Sequence, residues 1–303
     1  MDIVGRRYWY FALSLLIIIP GIVGLALWRL PLGIDFTGGS LLEVTFAGTV
    51  PAPAQVAAVY EEFNVSEPIV QTVGANGVVV RSKTMDDEAK AAIVAAFSAR
   101  FSEATLQRFE TVGPAVGAEI AQRAGGAVGL AALGILLYIT YAFRKVSHPF
   151  RYGVAAIVAM LHDVAVVVGV QAWLSHFFGW EVDALFLTAL LTVIGFSVHD
   201  TIVVFDRIRE NQQVHRRLDF ESVVNHSIVQ TLDRSINTQL TVMLTLLALA
   251  LFGGITIRHF VIIMLAGVLS GTYSSIFNAA QILVVWENAE WRNWFRPRKP
   301  ATA

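Results

Sequence analysis

Six stretches of this chain are long and apolar enough to cross a lipid bilayer: residues 10–28, 122–143, 152–173, 185–206, 235–254 and 260–286. Crossing takes roughly 20 apolar residues in a helix. Hydrocarbon offers no water to backbone N–H and C=O groups, so such stretches must bond within themselves as helices. That feature confines the chain to the polytopic helical membrane proteins and argues against a soluble enzyme. Composition agrees, since 15% of the 303 residues are charged, against roughly 25% in soluble domains. The absence of cysteine excludes a disulfide framework and thiolate metal sites. The first stretch exceeds the apolar run of a signal peptide, about 7–15 residues, and no A-x-A pattern follows it, so an uncleaved first helix is expected.

Basic residues in short connections mark the cytoplasmic side. Arg6 and Arg7 precede the first span, Arg144, Lys145 and Arg151 join the second to the third, and Arg207, Arg209, Arg216 and Arg217 join the fourth to the fifth. The 174–184 connection has no Lys or Arg, and 253–259 has only Arg258. Both termini, including the tail 291–303 with Arg292, Arg296, Arg298 and Lys299, are therefore expected in the cytoplasm, with residues 31–118 outside. Tyr8, Trp9, Trp28, Trp173, Trp180, Trp286, Trp291 and Trp294 suit the interfacial belts.

Between the first helix (1–30) and the five-helix bundle (119–290), the pattern changes to short strands and amphipathic helices. Leu41–Ala47 reads as a strand, and Pro53–Phe63 as a helix burying Val56, Val59, Tyr60 and Phe63. Ile69–Val73 and Val78–Ser82 are strands around the turn Gly74-Ala75-Asn76-Gly77. Asp86–Phe101 is a helix with three acidic residues in its first turn, and Leu106–Val112 closes as a strand. The order βαββαβ is that of a ferredoxin-like α+β unit. It contains no histidine and its carboxylates are scattered, so a structural or substrate-touching module is expected there.

Ionisable groups inside a bilayer cost about 2.5–3.5 kcal/mol each on insertion scales, and so point to function. The third span carries Leu161-His162-Asp163, the fourth Ser197-Val198-His199-Asp200-Thr201, and the fifth starts at Arg234 with Ser235, Asn237, Thr238, Gln239 and Thr241 behind it. If the fourth helix leaves the bilayer near Arg207, Asp200 lies about 10 Å inside at 1.5 Å per residue. An antiparallel neighbour could then bring Arg234 to it. The plainer alternative is that the two only neutralise each other for packing. The His-Asp dipeptides do not make a metal site, because adjacent helical residues diverge by about 100° and no third ligand set is evident. Gly125/Gly129 and Gly267/Gly271 are small-residue pairs suited to close helix contact. Residues 219–233, within a cytoplasmic segment 208–233, are amphipathic and read as a helix lying along the interface.

Three strings carry a family likeness: Gly33-Ile34-Asp35-Phe36-Thr37-Gly38-Gly39, Leu161-His162-Asp163, and Asp200-Thr201-Ile202-Val203-Val204-Phe205-Asp206-Arg207-Ile208-Arg209-Glu210-Asn211. With Gln230-Thr231-Leu232-Asp233-Arg234-Ser235 they resemble the SecF family of the bacterial Sec protein-export machinery, over nearly the whole chain. The resemblance implies half of a resistance-nodulation-division (RND)-like transporter in the bacterial cytoplasmic membrane. It implies a SecD subunit as partner, the SecYEG channel and YajC beside it, and unfolded exported polypeptide as substrate, with lipid around it and no nucleic acid. It implies no catalytic residue and no cofactor beyond the proton gradient. Carried over, Asp200 and Arg234 match the proton-path carboxylate and arginine, with Asp163 and His199 placed beside them; His199 stands where many relatives have a small or amide residue. Asp206 and Arg207 belong to the structural motif. Gly38-Gly39 reads as a tight turn, with Asp35 capping backbone amides as a hinge or anchor. Two other readings remain open: an RND-like half for lipids or small molecules, and a passive assembly factor.

Overall fold

Where apolar residues run on without a break, the computed structural model has helices; where they alternate, strands. It describes residues 2–290, the side chains at 255 and 256 excepted. The expected tail 291–303, with Trp291 and Trp294, lies outside the described residues. A 3-10 turn, Val4–Arg6, leads into α1 (Arg7–Trp28). A short α2 (Ile34–Thr37) precedes β1 (Gly39–Phe46), α3 (Pro53–Glu62), β2 (Ile69–Val73), β3 (Gly77–Ser82), α4 (Asp87–Arg100) and β4 (Ala104–Val112). Then come α5 (Pro114–Ala142), α6 (Pro149–Phe178), α7 (Ala184–Val214), α8 (Phe220–Phe252) and α9 (Ile255–Ser274). A π-helical turn, Ser275–Ala279, joins α9 to α10 (Ala280–Glu287).

The four strands form one antiparallel sheet in the order β2-β3-β1-β4, so β3 splits the β1-α3-β2 unit as in ferredoxin-like folds. Alternation in β1 sends Leu42, Val44 and Phe46 inward, and β3 adds Val78 and Val80. The helices cover that face with Val56, Val59 and Tyr60 from α3 and Ile93 and Phe97 from α4. Burying such a side chain contributes about 1.5–3 kcal/mol. Asp86 caps α4 by accepting from the Ala89 amide at 2.8 Å. This compact unit takes in residues 31–127 and 181–184, more than the expected 31–118. The 181–184 segment belongs to it because the Gly33 amide donates to the Val182 carbonyl (2.7 Å) and the Val182 amide to that of Pro31 (2.9 Å).

Among the described residues, six helical spans are long and apolar enough to cross a membrane. Several outrun their hydropathy: α5 starts at 114 rather than 122, and α7 runs to 214 rather than 206. Hydropathy detects the lipid-facing stretch, and a helix continues into water wherever side chains tolerate it. Residues 219–233 are corrected for the same reason. They are no separate interfacial helix but the first turns of the unbroken α8, capped by Asp219 on the Ser222 amide at 3.1 Å. The apolar stretches of α6, α7 and α9–α10 are 50–56% buried, against 6–17% for α1, α5 and α8, so the first three form the interior.

Glycines set the closest crossings. A Cβ on Gly21 of α1 would stand 2.8 Å from the Gly169 Cα of α6. Gly267 and Gly271 fit the small-residue expectation, seating α9 against Val193 and Ser197 of α7. Gly125 and Gly129 do not, since a Cβ there would meet nothing within 4 Å.

Candidate functional site

Polar residues spaced one helical turn apart converge where α6, α7 and α9 meet. Asp163 of α6 is fully buried, and its carboxylate accepts from Ser197 Oγ of α7 (2.5 Å) and from Ser270 and Ser274 Oγ of α9 (2.7 Å each). His162 Nδ1 lies 3.0 Å from Asp163 Oδ1. Close approach at Gly271 makes this possible, for a Cβ there would reach 3.1 Å from the Ser197 Cβ. The π turn then redirects the chain so that neighbouring polar residues serve different helices. Ser275 bonds to the Ser197 carbonyl (3.0 Å) and to Thr201 Oγ1 (2.9 Å), while Asn278 donates to Ser14 Oγ of α1 at 2.9 Å.

One turn beyond Ser197, Asp200 is 4% exposed. Its Oδ2 accepts from Gln239 Nε2 of α8 at 2.5 Å, and Gln239 Oε1 is buried without a partner among the described residues. The expected pairing with Arg234 is not formed. Arg234 is exposed on α8 and makes no ion pair among the described residues. Helical geometry explains this: Gln239 is five residues further along α8, about 7.5 Å deeper, and so reaches the level of Asp200. His199 points the other way from Asp200 and is exposed, as adjacent helical residues diverge. Asp233, adjacent to Arg234, is exposed too.

Asp206 and Arg207 lie at the far end of α7 in surface ion pairs, Asp206 with Arg209 (2.5 Å) and Arg207 with Glu210 (2.6 Å). The α7–α8 hairpin is held by the buried Asn211, which donates to Ser227 Oγ (2.8 Å) and Gln230 Oε1 (2.9 Å). In the ferredoxin-like unit, Asp35 Oδ2 accepts from the Ala184 amide at 2.8 Å. Gly38 (φ +73°) and Gly39 (φ +131°) adopt backbone that side chains disfavour. Cβ atoms there would stand 2.6 Å from the Pro114 Cα and the Ser82 carbonyl oxygen respectively. The segment is thus a close-packed turn bearing one backbone cap. Among the described residues no three His, Asp or Glu side chains converge as metal ligands.

Sequence reasoning singled out Asp163 and Asp200 but missed what holds them, namely Ser197, Ser270, Ser274 and Gln239. The signal was present as polar residues four apart, Ser270/Ser274 and Ser235/Gln239, within apolar helices. Their partners were not legible, because each lies on a different helix.

Comparison with known proteins follows the same strings. Residues 92–289 match the family described as protein export membrane protein SecD/SecF, C-terminal, and residues 29–50 match the SecD/SecF GG motif. A protein translocase subunit SecF of Anaerolinea thermophila is 58% identical, with 100% of both chains covered. A protein translocase subunit SecDF of Bacillus subtilis is 35% identical over 95% of this chain and 38% of its own length. The crystal structure of SecDF from Thermus thermophilus, described as a translocon-associated membrane protein, superposes with a TM-score of 0.82 at 34% identity, over 95% of this chain and 39% of that one.

Proposed function

Because the chain belongs to the SecD/SecF protein-export family, as a SecF-type translocase subunit with an RND-like fold, we propose that it is a proton-coupled auxiliary subunit that helps draw exported polypeptides across the cytoplasmic membrane. The observation that carries this reading is Asp200: a carboxylate inside a membrane bundle, 4% exposed and held by one neutral amide. A purely structural core gains nothing from a carboxylate at that position, where an apolar residue would pack at lower cost.

Gln239 suits a group that changes protonation state. Its Nε2 donates to the ionised carboxylate, and its unpartnered Oε1 supplies an acceptor for the protonated acid after an amide turn. Arg234, exposed and unpaired in this state, is a cation that stays protonated throughout. Motion of α8 against α7 that brings Arg234 toward Asp200 favours loss of the proton, and the reverse motion favours its return. One charge crossing 100 mV releases about 2.3 kcal/mol, so a gradient can drive the alternation.

Arg234, Asn237, Thr238 and Thr241 form an exposed polar face on α8, with His199 exposed on α7. Such groups are costly against lipid, which supports a protein cover there. A SecD subunit is the natural candidate, since this chain spans only 38% and 39% of the SecDF chains it matches. On this reading SecYEG and YajC stand beside the pair, both termini are cytoplasmic, and the ferredoxin-like domain handles unfolded polypeptide outside.

The test is gradient-dependent export in vesicles holding this chain and a SecD subunit. Asp200→Asn preserves size but cannot ionise, so export should lose its gradient dependence at unchanged membrane levels. Arg234→Met should behave likewise with weaker assembly, and Asp163→Asn should be milder. Normal gradient dependence in the Asp200→Asn protein would remove the proton-coupled reading and leave the passive assembly factor.

A further inference from the structure

We propose that His162 and Asp163 form a second proton-binding site, in which His162 takes the proton and Asp163 stays a fixed anion. Its use in export rests on the proton coupling proposed above; its chemistry rests on geometry alone. Three serine hydroxyls from α7 and α9 donate to the Asp163 carboxylate at 2.5, 2.7 and 2.7 Å, and His162 Nδ1 sits 3.0 Å away. Four donors occupy the roughly four acceptor positions of a carboxylate. To take a proton, Asp163 would have to turn one of these serines from donor to acceptor or shift His162 to the tautomer in which Nδ1 accepts. The pair nevertheless sits in the bundle interior, where an unbalanced charge is costly. The histidine is placed to balance it.

His162 Nδ1 must keep its hydrogen to bond an ionised carboxylate, so the free position of the ring is Nε2. That side chain is 9% exposed, and Nε2 is buried without a partner among the described residues. The ring lines a groove of about 570 Å³ between α1, α6 and α10, which opens between the exposed Leu15 and Leu161. Ser14 and Asn278 line the same groove as a buried pair, Asn278 donating to Ser14 Oγ at 2.9 Å, and the surface that the groove exposes is apolar. Uptake at Nε2 makes the ring an imidazolium while Nδ1–H stays on Asp163, so the pair becomes neutral overall; release at Nε2 reverses it.

Asp163 is the charged group on α6; α9 offers Tyr273, with ring centroids 6.0 Å apart, whose hydroxyl is committed to the Tyr10 carbonyl at 2.6 Å. From α1 and the last span, the groove is lined by Ser14, Asn278 and apolar side chains, with no Asp, Glu, Lys or Arg. α7 approaches through Ser197, on the far side of Asp163.

The experiment is solid-state NMR of histidine- and aspartate-labelled full-length chain in bilayers, with the His162→Asn spectrum identifying one ring among the seven histidines. The expected result is a ring that gains a proton at Nε2 on acidification, while the Asp163 carboxylate signal does not change. Asp163→Asn should cut the protonated fraction of that ring about tenfold or more at fixed pH, the effect of removing an adjacent opposite charge. A ring in one protonation state throughout, or an Asp163 signal that titrates in its place, overturns the proposal. In vesicles, His162→Asn keeps a donor to Asp163 but cannot titrate, so the pH profile of export should flatten. An unchanged profile overturns the role in export. If Asp200→Asn leaves gradient dependence intact, the coupling reading falls, but the ring measurement still decides this site.

Discussion

The ferredoxin-like domain and the membrane bundle solve opposite solvent problems. In the domain, Leu42, Val44, Phe46, Val56, Val59, Ile93 and Phe97 fill the core, and charges such as Glu62 and Arg100 pair at the surface. In the bundle, Asp163, Asp200, Ser197, Ser274, Ser275, Gln239, Asn278 and Gln281 share the interior with apolar side chains such as Ile194, Phe205 and Leu283, while many other Leu, Ile and Phe side chains are exposed. Water drives apolar side chains together in the first case. Lipid is as apolar as leucine, so in the second case the helices gain from small residues and interhelical hydrogen bonds instead. Hydrogen-bonded serine, asparagine and glutamine can thus help hold the bundle, whereas its buried carboxylates remain costly and point to function.

That contrast can be broken by mutation, and the largest effect is expected in the domain. Phe97→Ala empties a site packed against Phe46 and Tyr60. It should cost about 3–5 kcal/mol, a large share of the roughly 5–15 kcal/mol that holds a typical domain. Hydrogen exchange over β1 should show the loss; unchanged protection there would mean the apolar core is not what holds the sheet. In the bundle, Gly267→Val drives a side chain into Val193. The overpacking should cost about 1–3 kcal/mol, whereas Gly125→Val should stay within about 0.5 kcal/mol. Thermal inactivation of the two variants in mild detergent compares them, and equal losses would contradict the packing described above.

A smaller effect sharpens the comparison. Ser274→Ala removes one of four donors around Asp163 and should cost only about 0.6–1.7 kcal/mol, the range for hydrogen bonds between membrane helices. A loss near that of Phe97→Ala would show that the polar cluster, like the apolar core, is what keeps its unit folded. The smallest change is expected at the domain surface. The Arg100 guanidinium, bonded to Glu62, holds that exposed carboxyl below its ordinary 4.5. A depressed carboxyl contributes stability above its unfolded value and loses it as pH falls through the folded one. Glu62→Gln should therefore lower the domain's melting temperature slightly at neutral pH and low salt, and not at all in strong acid or high salt. A difference that persists in acid would place its cause elsewhere.

The elements were largely legible because each rests on local pattern. Alternation in Leu42–Phe46, the helical period of Val56, Val59 and Tyr60, and the turn around Gly74 led to βαββαβ, and the sheet has that order. Ends were less legible where α5, α7 and α8 continue past their apolar stretches, because hydropathy reports the solvent and not the end of a helix. At the candidate site, the cost of burying charge marked Asp163 and Asp200. Their hydrogen-bond partners were not legible: an antiparallel neighbour could bring Arg234 to Asp200, and in this structure Gln239 is the residue bonded to it.

By itself, the sequence determined that this chain spans a membrane six times, that a small α+β unit interrupts the spans, and which buried groups are too costly to be filler. All three follow from interactions between residues a few positions apart and the solvent around them. Only the tertiary structure decided that α6, α7 and α9 share one carboxylate, that the π turn at Ser275–Ala279 sends Ser275 and Asn278 to different helices, and that Gln239 rather than Arg234 meets Asp200. Those choices depend on the rotation and depth of one helix against another. A turn of 100° or a slide of one 5.4 Å pitch exchanges one set of partners for the next, and contacts between distant residues set both quantities.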